Sequence, residues 1–262
     1  MAGELTTNRA FSQAAGVIRL LTHDRRAFAA AQERAYHALE GELVMDVTDH
    51  EELLVRQIRH ADANFHLLKA NGVRSINVMG PVGCGKTTLM ERLIERLITC
   101  GLVVGAIATA ATGDTDFQRF LTSGAICANI NTGGSGYLDA VSLSRALSDL
   151  DLAAIDVLFI ENLPGIISPV DYPLGTSEEI VVLPLTAGSG VVSSYPRIFA
   201  QTDLLIINKI DLASVLSTSP KTIAAEYASV NPQGRSILTD ALRGNGISKL
   251  IETLGFDCDG KW

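Results

Sequence analysis

Gly80-Pro-Val-Gly-Cys-Gly85-Lys86-Thr87 follows the spacing GxxxxGK[ST], and each residue type in it has a task in holding phosphate. Glycines leave room for backbone N–H groups to turn onto anionic oxygens, Lys86 brings a compact positive charge to the outer phosphates, and the helix that follows adds the positive end of its dipole. The Thr87 hydroxyl suits a Mg²⁺ ligand. The motif lies between an apolar run ending at Met79 and a helical pattern over Thr87–Ile98, the strand-to-helix turn that it requires. A tight turn alone explains one glycine, but neither the others nor the Lys-Thr pair. The binding candidates are Gly80, Val82, Gly83, Cys84, Gly85, Lys86, Thr87 and Thr88. Lys86 is also a catalytic candidate, and Thr87 a metal ligand. Cys84 reads as a small filler, because no resolving thiol pairs with it.

Farther along, Asn208-Lys-Ile-Asp211 ends the apolar run Leu204–Ile207 and resembles the NKxD box of GTPases. A carboxylate there accepts both N1–H and the exocyclic amine of guanine, an arrangement adenine does not offer, so Asp211 is expected to select GTP while Lys209 lies along the base. Thr239-Asp240-Ala241 resembles the loop whose backbone N–H meets guanine O6, with Ala241 in that position. Leu158-Phe-Ile-Glu161-Asn162 places a carboxylate at the tip of another apolar run, where a Walker-B-like acid stands near Mg²⁺ and the attacking water. Glu161 is therefore a catalytic and metal candidate; a local capping role is the alternative.

These residues need a scaffold that gathers strand ends. From Ser75 onward, apolar runs alternate with helical patterns: Ile76–Met79, Leu102–Ala108, Ile126–Ile130, Ile155–Ile160, Ile180–Leu185, Leu204–Ile207 and Ser236–Leu238. Nearly continuous apolar strands separated by helices mark a parallel sheet covered on both faces. The expected fold is α/β, a doubly wound and mostly parallel sheet of the P-loop NTPase kind, over residues 72–262. Residues 1–71 are expected to form a helical N-terminal extension, with one helix over Ala27–Leu43 and another whose stripe Leu54, Ile58, Ala61, Phe65 and Leu68 buries one face. Asn71-Gly72 is its stop signal.

The 262 residues are 47% hydrophobic and 19% charged, with a net charge of -8. That composition excludes wholesale disorder, and the charge argues against a protein that neutralises nucleic acid or an anionic membrane. Cys84, Cys100, Cys127 and Cys258 show no CxxC pairing, so reduced thiols are expected. No secretion signal or membrane span is read, and the expected compartment is the cytoplasm.

With these residues in place, the chain from about Asn64 onward resembles the HypB family of nickel-insertion GTPases, related to UreG. The resemblance rests on the phosphate loop with its Thr-Thr-Leu, on Asn131-Thr-Gly-Gly-Ser-Gly-Tyr-Leu-Asp-Ala140, on Leu158–Asn162, on Tyr195-Pro196 and on Asn208–Leu212. It implies GTP and Mg²⁺ as cofactors, a transition metal such as nickel as cargo, a GTP-dependent homodimer, and a client metalloenzyme or its other maturation factors as partners. The departures from the family are specific. Cys-His becomes Gly136-Tyr137, and the Cys of Cys-Pro becomes Ser168 before Pro169, so the implied inter-subunit metal ligands are absent; Gly, Tyr and Ser replace imidazole and thiolate. The N-terminal cysteine motif and polyhistidine tract are absent too, and all five histidines precede the phosphate loop. The family's Gly-Asp aligns with Thr109-Ala110, with Asp114 or Asp116 as substitutes for the lost carboxylate. Glu-Asn-Val-Gly becomes Glu161-Asn-Leu-Pro164-Gly165, and proline has no N–H to give a γ-phosphate; either Gly165 takes over or that sensing changes. Gly-Asp-Asp-Lys appears as Gly188-Ser-Gly-Val191. The leading reading is a slow GTPase serving metalloenzyme maturation. The alternatives are a GTP-binding assembly module without turnover or metal carriage and, disfavoured by Asn208–Asp211, a small-molecule kinase.

Overall fold

The computed structural model describes residues 48–110, 113–132, 137–165, 173–216 and 218–256. The chain divides into two compact units, Met1–Glu51 and Glu52–Trp262, and apart from Thr48–Glu51 everything described below belongs to the second. The helix expected over Ala27–Leu43 lies outside the described residues.

The elements in order are α1 (Thr48–Ala70), β1 (Arg74–Met79), α2 (Lys86–Thr99), β2 (Val104–Ala110), α3 (Thr115–Thr122), β3 (Ile126–Asn131), α4 (Ala140–Ser148), β4 (Val157–Glu161), β5 (Glu178–Pro184), α5 (Val191–Ser194), α6 (Pro196–Gln201), β6 (Leu204–Asn208), α7 (Pro220–Val230), β7 (Arg235–Leu238) and α8 (Ile247–Thr253). The seven strands form one parallel sheet in the order β3-β2-β4-β1-β5-β6-β7, the doubly wound fold expected from the apolar runs. β4 and β6 are buried at every residue, as strands covered on both faces must be. The edge strands β3 and β7 are exposed at several positions.

Alternate residues of β4 serve opposite layers. Val157 and Phe159 pack with Leu93 of α2 and Leu250 of α8, whereas Leu158 and Ile160 join Leu68 of α1 and Leu143 of α4. A third cluster sets Val181 and Leu205 against Phe199 of α6 and Tyr227 of α7. Apolar burial on both faces is the main force holding the strand ends in register. β1 lies between β4 and β5; the chain leaves it on one side through α2 and returns to its other side at β5. Its carboxyl end is therefore the switch point where open α/β sheets form their crevice.

α1 corrects the expected stripe. Its buried line is Gln57, Ala61, Asn64 and Leu68, so Leu54, Ile58 and Phe65 are displaced from it by polar residues. At those turns α1 meets backbone as well as the Ser144 hydroxyl, which donates to Asn64 Oδ1 at 2.6 Å. Gln57 Oε1 accepts the Ala140 N–H at 2.9 Å, and Asn64 Nδ2 donates to the carbonyls of Ala140 at 3.0 Å and Leu174 at 3.1 Å. Buried amides that satisfy backbone groups leave no trace in apolar periodicity. A second correction concerns the cysteines: Cys100 is disulfide-bonded, while Cys84 and Cys127 are free. Spacing along a chain does not reveal a pairing that the fold creates. No helix among the described residues is long and apolar enough to cross a membrane.

One half-buried group gives the fold a pH dependence. Glu179 accepts hydrogen bonds from Asn77 Nδ2 at 2.7 Å and Thr176 Oγ1 at 2.5 Å, yet its carboxyl is pushed up to about 7, first by burial, with the Asp203 charge adding to the rise. The native state thus holds a proton there that the unfolded chain releases at lower pH. The resulting stability, on the order of 3 kcal/mol, is present below the unfolded value and lost as pH rises through about 7. Thermal melts of the unliganded protein between pH 5 and 8 should show the midpoint falling with pH, and Glu179→Gln should flatten part of that slope. An unchanged slope in the variant would assign the effect to other groups.

Candidate functional site

Loops at the carboxyl ends of β1, β4, β6 and β7, together with α3, enclose a cavity of about 560 Å³. Val82, Gly83, Gly85, Lys86, Thr87 and Thr88 line it from the first loop, Glu161 from β4, Asn208, Lys209 and Asp211 from the end of β6 onward, and Ala241 from beyond β7. Gly80 and Cys84 are the candidates that do not face it.

Gly80 and Gly85 shape the first loop by their missing side chains. A Cβ at Gly80 would run into the Val182 carbonyl, and one at Gly85, which caps α2 with φ 97°, would lie 2.5 Å from Asn208 Nδ2. Cys84 is fully buried, and burial pushes its thiol up, which fits a packing role. The Lys86 side chain is folded back, its Nζ donating to the Gly80 carbonyl at 2.9 Å. This tether holds the ammonium across the loop, above the N-terminus of α2.

Thr87 Oγ1 donates to Glu161 Oε1 at 2.7 Å. The other carboxylate oxygen, Oε2, is buried without a partner. Burial is the first cause that pushes the Glu161 carboxyl up to about 7; the Thr87 hydroxyl opposes it, the Asp116 charge adds to it, and Lys86 and Arg119 reduce it. A dry carboxylate with an orphaned oxygen beside a threonine hydroxyl is a donor set suited to a hard divalent cation such as Mg²⁺. Asp116 joins it in the cavity. Asp114, the other candidate to replace the carboxylate missing at Thr109-Ala110, instead accepts from Gln118 Nε2 at 3.3 Å.

Arg119 was not anticipated from the sequence. It lines the cavity, grips Glu91 through Nε at 2.8 Å and Nη2 at 2.5 Å, and donates to Thr88 Oγ1 at 3.1 Å. The available signal was its place three residues after Asp116, on the same face of a helix. Behind Glu161, the segment Asn162–Gly165 has committed its amides. The Leu163 N–H donates to Asn162 Oδ1 at 2.8 Å, and the Gly165 N–H to the Gly80 carbonyl at 3.2 Å. Pro164, which lines the cavity, has none. Gly165, the residue expected to compensate for Pro164, is therefore held on the same carbonyl that receives Lys86.

Asn208 joins three loops. Its Nδ2 donates to the Cys84 carbonyl at 2.9 Å, and its Oδ1 accepts from Thr239 Oγ1 and from the Ala241 N–H, each at 3.0 Å. The Ala241 amide expected to meet the base is thus engaged by Asn208. Lys209 takes the left-handed conformation, φ 62°, and Asp211 pairs with Arg243. Asn208→Ala orphans three buried groups at once and is expected to cost about 2 kcal/mol of stability and to weaken nucleotide binding. Urea titration together with a nucleotide titration checks both effects, and stability equal to that of the unaltered protein would contradict the bracing role.

Gly136, Ser168 and Pro169 lie outside the described residues. Asp139 caps α4, its Oδ1 accepting the Ser142 N–H at 2.7 Å, which is the local role open to a helix-start acid. Among the described residues, no group of three His, Cys, Asp or Glu side chains is placed to hold a metal ion.

The family profile for the CobW/HypB/UreG nucleotide-binding domain matches residues 74–237. The chain is 36% identical over 209 residues to the probable hydrogenase maturation factor HypB of Methanocaldococcus jannaschii, covering 80% of this chain and 93% of that protein. Hydrogenase maturation factor HypB from Archaeoglobus fulgidus superposes with a TM-score of 0.71 at 32% identity, over 77% of this chain and 98% of its own. HypB from Helicobacter pylori, solved in complex with nickel, shares the fold with a TM-score of 0.72 at 24% identity, over 76% and 93% of the two chains. The profile match over the whole sheet and the HypB relatives place this chain in the CobW/HypB/UreG family of nucleotide-binding domains, among its HypB members.

Proposed function

We propose that this chain binds GTP with Mg²⁺ and hydrolyses it slowly, as an accessory factor for metal insertion into a metalloenzyme. The observation that carries the reading is that one cavity is lined both by Lys86 and Thr87 and by Asp211. A phosphate tail and a guanine edge can therefore be held together.

In this reading Asp211 accepts from guanine N1–H and the 2-amino group. Lys86 exchanges the Gly80 carbonyl for the outer phosphates, and the amides of the loop and the start of α2 surround the remaining oxygens. Thr87 and Glu161, with Asp116, would hold Mg²⁺, which when bound neutralises charge on the phosphate oxygens. Glu161 orients the water for in-line attack. Turnover is slow because the segment after Glu161 has no ready amide for the γ-phosphate. Gly165 must first leave the Gly80 carbonyl, and Lys86 competes for that same acceptor until a nucleotide draws it away.

The accessory role rests on the relatives' names as hydrogenase maturation factors. The partners proposed are the client metalloenzyme or its other maturation factors, and a second copy of this chain when GTP is bound. The described residues hold no group of three His, Cys, Asp or Glu side chains placed for a transition-metal cargo such as nickel. The committed amide of Gly165 favours one second reading, a GTP-binding assembly module without turnover.

Both readings meet the same experiment: GTP hydrolysis and oligomeric state measured on the purified chain, with and without Ni²⁺, Co²⁺, Zn²⁺ and Mn²⁺. Slow turnover with a GTP-dependent dimer that one metal shifts supports the maturation GTPase. Tight GTP binding without turnover or metal response supports the assembly module. Absence of GTP binding contradicts both.

A further inference from the structure

We propose that Arg243 determines base specificity by holding Asp211 in the orientation that reads guanine, bridging it to the buried Asp240. The inference rests on the guanine reading above and adds a positioning residue to it.

Arg243 Nη1 lies 2.7 Å from Asp211 Oδ2 and 2.9 Å from Asp240 Oδ2. Asp240 is a firm anchor. Its side chain is 3% exposed, and its Oδ1 accepts the backbone N–H of Arg243 at 3.2 Å. Reciprocal backbone bonds to Asn245, at 3.0 and 3.1 Å, close its loop. Asp211 stands on weaker ground, in a single 3₁₀ turn, Ile210–Ser214, that has no buried residue. The Ile210 N–H ties the backbone of this turn to the Thr239 carbonyl at 3.2 Å, but that bond leaves the Asp211 side chain free to rotate, so a side-chain tether decides where its carboxylate points. Arg243 supplies that tether and also separates two carboxylates that would otherwise face each other uncompensated.

The arrangement leaves Asp211 able to read a base. A carboxylate has about four acceptor directions, and Arg243 takes one of them on Oδ2. The free oxygen and the remaining lone pair can receive guanine N1–H and the 2-amino group together. Reading two donors at once needs a fixed carboxylate plane, whereas reading one does not. Asn208 thus braces the base loops from the buried side, and Arg243 braces them from the solvent side. The Arg243–Asp211 pair is open to solvent, 58% and 28% exposed, so it adds little to the stability of the fold, and the Asp240 carboxylate keeps the backbone N–H of residue 243 when the guanidinium is replaced. Its removal should be felt at the base rather than in the melt.

The test uses the full chain and equilibrium titration with GDP, IDP and ADP, IDP being the analogue that lacks the 2-amino group. Arg243→Gln is expected to weaken GDP by about tenfold, to leave ADP unchanged and to bring the GDP-to-IDP ratio towards one, with the melting midpoint moving by no more than roughly 2 °C. Arg243→Lys, which keeps the charge but not the planar fork, should recover part of the ratio. Asp240→Asn should lower the ratio as Arg243→Gln does, and the two together should lower it no further. If Arg243→Gln does not fold, the Lys and Asp240→Asn variants carry the same comparison. A wild-type GDP-to-IDP ratio in the variants, tighter GDP binding, or equal losses for GDP and ADP would overturn the proposal. A wild-type protein that does not prefer GDP to ADP overturns the guanine reading itself, a result distinct from failure of the Arg243 role.

Discussion

Lys86→Ala is expected to lower triphosphate affinity by about a thousandfold, close to 4 kcal/mol, and to remove hydrolysis with it. The side chain is buried, and its Nζ has the Gly80 carbonyl as acceptor, so the ammonium is held where only an anion can fully compensate it. Its loss takes away the fixed charge that faces the outer phosphates and leaves the Gly80 carbonyl to Gly165 alone. The fold should survive, because the Gly80 carbonyl keeps the Gly165 N–H as its partner. Isothermal titration with a non-hydrolysable triphosphate and a thermal melt separate the two effects. Affinity within tenfold of the unaltered protein would mean that the cavity does not receive phosphate as described.

Asp211→Asn should exchange one base for another. The carboxylate offers acceptors to both donors of the guanine edge. An amide keeps one acceptor and turns a donor towards the 2-amino group, so GTP affinity should fall by about a thousandfold, close to 4 kcal/mol. Xanthine carries an oxygen at that position and should become the preferred base. Arg243 sharpens the prediction, because an Asn at 211 loses the ion pair while the oxygen of its amide can still accept from the guanidinium. That leaves the amide nitrogen turned to the base. Competition between GTP and XTP reads the exchange, and retained GTP preference in the variant would place base selection elsewhere.

The contiguous parts of the site were legible in the sequence because their chemistry and their spacing coincide. Gly80–Thr87 and Asn208–Asp211 are each short contiguous segments, and both stand at the end of a buried strand. Seven such runs were enough to give the parallel sheet. What stayed hidden are partnerships made across the fold. Arg119 meets Thr88 and Glu91 from another helix, and Arg243 meets Asp211 from another loop. Gln57 and Asn64 are buried against backbone that no periodicity foretells. Pro164 shows the opposite case: its missing amide was plain in the sequence, while only the structure shows Gly165, the expected replacement, already bonded to Gly80.

Competitive binding of guanine and adenine nucleotides to the unaltered chain, in Mg²⁺ and with non-hydrolysable triphosphates, tests the reading most directly. A preference for the guanine nucleotide of about a hundredfold or more is expected, because only guanine gives Asp211 two donors. Equal affinity for the two bases, or none for either, would contradict it.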